Sequence, residues 1–204
     1  MENAKPVRIP RQIRSLATKE KLIVAAKELF CQKGYDKTTA NAIARKAGTS
    51  VGSFYAYFAD KEAVFAELME RICLQLRAVV DEFSKELRQP GLNKKEWIGK
   101  VTRKYVQIVL SEPQLAREIA VLYYSGKPRI VAMMQRQQTS IQQMLGTYFS
   151  LMGIDTKGKD TQVSAILFQK TLVQLPEKIL YGWEGISQER LIVGAVEVLY
   201  KYFS

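Results

Sequence analysis

The sequence predicts an all-α protein, and three observations carry that expectation. Apolar residues recur at three- and four-residue spacing along almost the whole chain. Strand-like alternation is absent over any useful length. Gly or Pro stands where most of the periodic runs stop.

The elements follow in order. Residues 1–16, with Pro6, Pro10, Arg8, Arg11 and Arg14, read as a flexible basic arm. Thr18 is expected to cap a first helix with Leu22, Ala25, Ala26, Leu29 and Phe30 inward and Gly34 at its end. Thr39 caps a short second helix with Ile43, Ala44 and Ala47 on one side, and Gly48 stops it. Ser50 caps a third carrying Val51, Phe54, Tyr55 and Phe58. The spacing of Phe54 and Phe58 assigns them to the core. Asp60 caps a long helix whose apolar stripe runs from Val64 to Leu87, with Pro90-Gly91 as its stop. Asn93 with Glu96 resembles a capping box for a fifth helix. Pro113 opens a sixth, Gly126 breaks it, and Pro128 starts a seventh that Gly153 closes. Two last helices cover about 161–182 and 187–203, with a local kink or break expected at Pro176.

Composition narrows the chemistry. The 204 residues include 31 Lys/Arg against 20 Asp/Glu, a net charge of +11. Residues 1–61 carry +7 of that excess and residues 62–204 only +4. A basic excess concentrated in one segment favours a polyanionic partner, nucleic acid before an anionic membrane surface. There is no histidine. This removes Ser-His-Asp and Cys-His catalysis and His-ligated zinc. Cys31 and Cys73 are far apart and form no CxxC pair, so they are expected as two reduced thiols. No metal-ligand set, phosphate loop or paired-carboxylate motif is present, and neither cofactor nor metal is expected. No run approaches the ~18 apolar residues of a membrane span, and the basic start is not expected to be a signal peptide.

The informative segment is Thr38 to Glu62, TTANAIARKAGTSVGSFYAYFADKE. Two short helices meet at Gly48-Thr49, where glycine permits the positive φ of a sharp crossing. That is a helix-turn-helix arrangement, in which the second helix enters the major groove. Capping by Ser50 leaves partial positive charge at that helix's start, suited to phosphate.

These residues resemble a known family. Thr39, Ile43-Ala44, Ala47-Gly48-Thr49-Ser50, Gly52, Tyr55, Tyr57-Phe58 and Lys61-Glu62 follow the pattern of the TetR (tetracycline repressor) DNA-binding domain. Phe30, Lys33-Gly34-Tyr35 and Thr38 extend the resemblance over about residues 18–68. It implies an N-terminal three-helix helix-turn-helix domain at 17–62 and a larger helical regulatory and dimerisation domain at 63–204. It implies a bacterial cytoplasmic, nucleoid-associated repressor that binds a double-stranded DNA operator as a homodimer through about 161–203. A small-molecule effector in the larger domain would change the spacing of the two DNA-reading heads. By position, Thr39 and Lys61 should contact phosphate, and Ser50, Val51, Gly52 and Ser53 should face the groove beside Thr49. Tyr55 and Tyr57 should reach bases or backbone.

One departure matters. The groove-facing helix from Ser50 to Phe58 has no Arg, Lys, Asn or Gln, the residues that best discriminate guanine and adenine. Arg45 and the arm are expected to supply what is missing, the arm reaching a minor groove or giving only nonspecific attraction. Beyond residue 90, Trp97, Tyr105, Tyr123, Tyr124, Met133, Met134 and Tyr148 are candidates for lining a pocket for a largely apolar effector. Each also fits plain core. The last two helices carry apolar residues around much of their circumference, among them Val163, Leu167, Val173, Trp183, Val193 and Val198. They must therefore bury two faces: one can face its own domain and the other a twin subunit, or they are central core helices of a monomer, and the resemblance favours the dimer. A DNA-associated factor of the same fold without an effector is the alternative. An all-helical enzyme or lipid-binding protein is the third reading, against which the missing histidine weighs.

Overall fold

A computed structural model describes residues 11–86, 90–151, 160–182 and 185–203, and among these every regular element is a helix. The chain divides into two compact units, Met1–Leu68 and Met69–Ser204.

The first unit contains α1 (Arg11–Lys33), α2 (Ala40–Lys46), α3 (Val51–Tyr57) and the start of α4 (Lys61–Ser84). α1 packs on α2 and α2 on α3. Leu22, Ala26, Ile43, Ala44, Phe54, Val64 and Phe65 are sealed from solvent. Phe30, Tyr35 and Phe65 form a triangle of rings with centroids 5.3 to 5.9 Å apart. Such tilted and edge-on pairs add to the burial of each ring, itself worth about 1.5–3 kcal/mol. The caps sit where the sequence places them. Thr39 accepts from Ala42 N at 3.2 Å, Ser50 from Ser53 N at 3.0 Å and Asp60 from Ala63 N at 2.8 Å.

The first helix differs from expectation. It begins at Arg11, directly after Pro10, and Thr18 lies inside it. Residues 11–16 are therefore helix, not arm. Residues 1–10, with Arg8, lie outside the described residues, as do the side chains of Arg11 and Arg14.

In the second unit follow α5 (Lys94–Leu110), α6 (Pro113–Tyr124), α7 (Pro128–Leu151), α8 (Thr161–Tyr181) and α9 (Gln188–Phe203). α5, α8 and α9 pack on one another, α7 lies along α8, and α6 meets α5, α7 and α8. The central cluster includes Trp97, Ile98, Val101, Phe168, Leu172, Ile192, Val196 and Leu199. Gly99 is buried where α5 approaches α9, and a Cβ there would stand 3.1 Å from Arg103 Nη1 and 4.0 Å from Val196 Cγ1. Asn93 caps α5 through Glu96 N at 3.2 Å, while the Glu96 carboxylate pairs with Lys100. α4 ends at Ser84, short of Pro90-Gly91. α8 runs unbroken through Pro176, so the proline removes one ladder hydrogen bond without ending the helix. Gly153 and Trp183 lie outside the described residues.

Candidate functional site

The turn between α2 and α3 is built from backbone and one hydroxyl. Gly48 takes φ +66°, where a side chain would be strained. Its N–H bonds to Arg45 O at 3.1 Å, and Thr49 N bonds to Ala44 O at 3.0 Å. The Thr49 hydroxyl turns inward to the same Ala44 carbonyl at 3.4 Å. Ile43, Ala44 and Phe54 are the buried residues of these two helices, and they fix the angle at which α3 leaves the turn.

What remains outward is a small surface. Thr39 and Arg45 are exposed on α2, and Ser50, Val51, Gly52 and Tyr55 on α3. Tyr55 is 57% exposed and stands edge-on to Phe54, with ring centroids 5.3 Å apart. Its hydroxyl therefore sits on a ring braced by the core. Ser53 is half-buried, and its hydroxyl lies 2.9 Å from that of Ser50, which ties both to the cap. Gly52 is the informative position. Its φ is not positive, and an added Cβ would meet only Ser50 Oγ at 3.8 Å, an ordinary contact. Nothing among the described residues requires glycine there, although glycine in a helix costs roughly 0.8–1 kcal/mol relative to alanine.

Two expected DNA contacts are engaged by other parts of the chain. The Lys61 ammonium donates to three backbone carbonyls, Tyr35 O at 2.8 Å, Thr38 O at 3.1 Å and Asp36 O at 3.2 Å. It also lies 4.3 Å from the centroid of the Tyr35 ring. An ammonium has three N–H donors, and all three are engaged here. Lys61, expected at a phosphate, here clasps the α1–α2 loop to the first turn of α4. Tyr57 is half-buried, and its hydroxyl donates to Ser15 Oγ at 3.1 Å, on the stretch of α1 read as arm. Of the basic residues on α2, Lys46 pairs with Glu28 at 2.8 Å, whereas Arg45 stands exposed.

In the second unit the candidate pocket residues separate. Trp97 is only 4% exposed, and its indole N–H donates to Phe83 O at 3.0 Å, so it is core. Met134 is buried as well. Tyr124 points outward at 61% exposure and donates to Glu177 Oε2 at 3.1 Å. The side chain of Tyr148, on α7, lies outside the described residues. Tyr105, Tyr123 and Met133 are half-buried. Burial pushes the Tyr105 phenol well above the ordinary tyrosine range, and the neighbouring Cys73 adds to this. Cys73 itself is pushed up to about 11, by burial first and then by Glu70, against the opposing pull of Arg77. Sequence reasoning missed this polar spot between helices. Its charged members, Glu70 and Arg77, read in the sequence as ordinary surface charges.

The exposed α3 face, braced from behind and set by a glycine turn, defines a helix-turn-helix DNA-binding domain. Residues 22–68 match the model of bacterial regulatory proteins of the tetR family. The HTH-type transcriptional regulator YvdT of Bacillus subtilis is 42% identical over 53 residues, 26% of this chain and 27% of that protein. The chain thus matches about a quarter of that relative's length. YdgC of the same organism, also an HTH-type transcriptional regulator, is 25% identical over 149 residues, 70% of this chain and 74% of YdgC. Among solved structures, the SmeT–triclosan complex superposes with a TM-score of 0.70 at 17% identity, covering 91% of each chain. The chain therefore has the fold of a TetR-family transcriptional regulator. Among the described residues, no helix is long and apolar enough to cross a membrane.

Proposed function

We propose that this protein is a homodimeric transcriptional repressor that binds a palindromic operator through α3 and leaves it when a small, largely apolar effector enters the 69–204 unit. The observation that carries the DNA-binding part is Gly52. An exposed glycine on a short helix, with room for a Cβ and no positive φ, is explained by close approach of an outside backbone. Thr39, Arg45, Ser50, Val51 and Tyr55 surround that approach. With no Arg, Lys, Asn or Gln on α3, the reading rests on hydroxyls, a methyl contact and DNA shape.

The dimer reading rests on α8 and α9. Val163 and Leu167 on α8 stay exposed, as do Val193 and Val198 on α9, the last at 62%. Gly194 lies beside them, exposed, with nothing within 4 Å of an added Cβ. A partner helix packed closely on that face would account for both the apolar exposure and the glycine. The effector reading rests on α4, α6 and α7, whose apolar residues Leu76, Ile119, Tyr123 and Met133 remain half-buried inside the helical unit. Triclosan bound to SmeT supports an effector of that general kind.

Selection of bound fragments from a random DNA pool tests the proposal. An inverted repeat is expected, bound by a species of twice the chain mass. Gly194→Leu should yield monomers in sedimentation and lose the repeat. A single unpaired half-site would overturn the dimer reading, and undiminished dimer in Gly194→Leu would overturn the placing of its interface on this face. A screen for compounds that release the operator tests the effector. Reciprocity requires operator DNA to weaken any such compound by the same factor. A protein that binds the repeat but responds to no compound would be the effector-free factor of the same fold.

A further inference from the structure

We propose that Arg77 anchors a carboxylate, so that the effector is an apolar body bearing one acidic group. This rests on the reading of residues 69–204 as an effector-binding unit. Glu70, Cys73 and Arg77 stand at positions i, i+3 and i+7 of α4 and so share one face of it. Across from that face, α7 answers each charge with a neutral group. Gln137 donates its amide to the Glu70 carboxylate, and Arg77 Nη2 donates to Ser140 Oγ at 2.7 Å. A guanidinium has five N–H donors in a planar fork. Ser140 takes one of them, and no carboxylate lies within ion-pair distance of Arg77 among the described residues. Arg77 is half-buried, so its charge is partly withdrawn from water without a counter-ion.

Other groups at this spot are suited to the same ligand. The Cys73 thiol senses both Glu70 and Arg77, and Tyr105 of α5 senses the thiol, so α4, α5 and α7 converge here. Tyr105 is half-buried, and burial pushes its phenol well above the ordinary tyrosine range. One turn earlier on α5, the fully buried Thr102 hydroxyl has no hydrogen-bond partner. A carboxylate would accept the guanidinium fork bidentately and take hydroxyl donors beside it. Ile72 and Leu76, half-buried on the same stretch of α4, would receive the apolar part. A ligand ammonium placed at the guanidinium fork would meet the repulsion of Arg77 instead.

Calorimetry on the full chain with three probes of one shape tests this: 1-naphthoate, 1-naphthamide and 1-naphthylmethylammonium. The carboxylate should bind roughly ten- to a hundredfold tighter than the amide, the size of a charge-assisted hydrogen-bond pair. Arg77→Gln should remove that preference while leaving amide binding unchanged, which also shows that the variant is folded. Arg77→Lys should retain part of it. Equal or tighter binding of the amide or the ammonium overturns the anchor, as does a carboxylate preference that survives Arg77→Gln. Binding of none of the three overturns it too. The operator-release screen is read separately. An uncharged compound that releases DNA would uphold the repressor and refute the anchor. A carboxylate that binds at Arg77 without affecting DNA would do the reverse.

Discussion

The two units of the chain use apolar residues differently. In residues 11–68 the inward side chains are driven almost entirely out of water, and the rings of Phe30, Tyr35 and Phe65 lock against one another. In residues 69–204 the seam among α5, α8 and α9 is packed in that way, and Leu115, Leu122, Ile130 and Met134 are buried beside it on α6 and α7. Along α4, α6 and α7 buried side chains such as Cys73, Leu122 and Ile130 are interspersed with half-buried ones such as Leu76, Ile119 and Met133. A reading head has to present a fixed surface, and dense packing fixes it. The effector site proposed for the second unit would need such half-buried apolar surface to be left uncovered.

The largest expected effect tests that contrast directly. Phe54→Ala removes a sealed ring from behind α3 and should cost about 3–5 kcal/mol, enough to unfold the first unit and abolish DNA binding. Met133→Ala, a half-buried position on α7, should cost clearly less and change ligand affinity instead. Denaturant melts of the two variants check this, and equal losses would erase the distinction between the units.

Lys61→Ala comes next. Loss of three charge-assisted hydrogen bonds should destabilise the first unit by about 2 kcal/mol. With Lys61 acting as a clasp, the salt dependence of DNA binding should not change. A salt slope reduced by roughly 0.9 per head, with unchanged stability, would return Lys61 to a phosphate contact.

The smallest effect on stability carries the most information about the surface. Gly52→Ala should raise stability by about 0.5–1 kcal/mol, because alanine suits a helix better and the Cβ has room. The same variant should weaken operator binding at least tenfold. If it bound DNA as well as the parent, the glycine would not mark the contact.

Much of this was legible in the sequence because local chemistry decided it. Thr39, Ser50, Asp60 and Asn93 are caps by residue type and spacing, and Gly48 is a turn because few other residues take its φ. What was missed depends on partners distant along the chain. Pro6, Pro10 and three arginines read as an arm, yet α1 starts at Arg11 and Tyr57 reaches back to Ser15. Lys61 looks like a surface cation until the carbonyls of residues 35, 36 and 38 are found around it. Trp97 has the composition of a pocket residue, and only the packing of α5 against α8 and α9 shows it to be core. Arg77 gave no signal, because the absence of a counter-ion is a property of space and not of sequence.

The clasp at Lys61 also sets where this head can be cut and transplanted. A chimera joined at Phe58, the last residue of the helix-turn-helix proper, would lack the ammonium that gathers the α1–α2 loop. It would also lack Val64, Phe65 and Leu68, which close the core from α4. Joined after Leu68, the segment carries its clasp, its ring triangle and all its caps. The portable part is therefore the helix-turn-helix plus two turns of the helix that follows. Any shuffling of heads among sensors, by a protein engineer or by recombination, has to respect that seam.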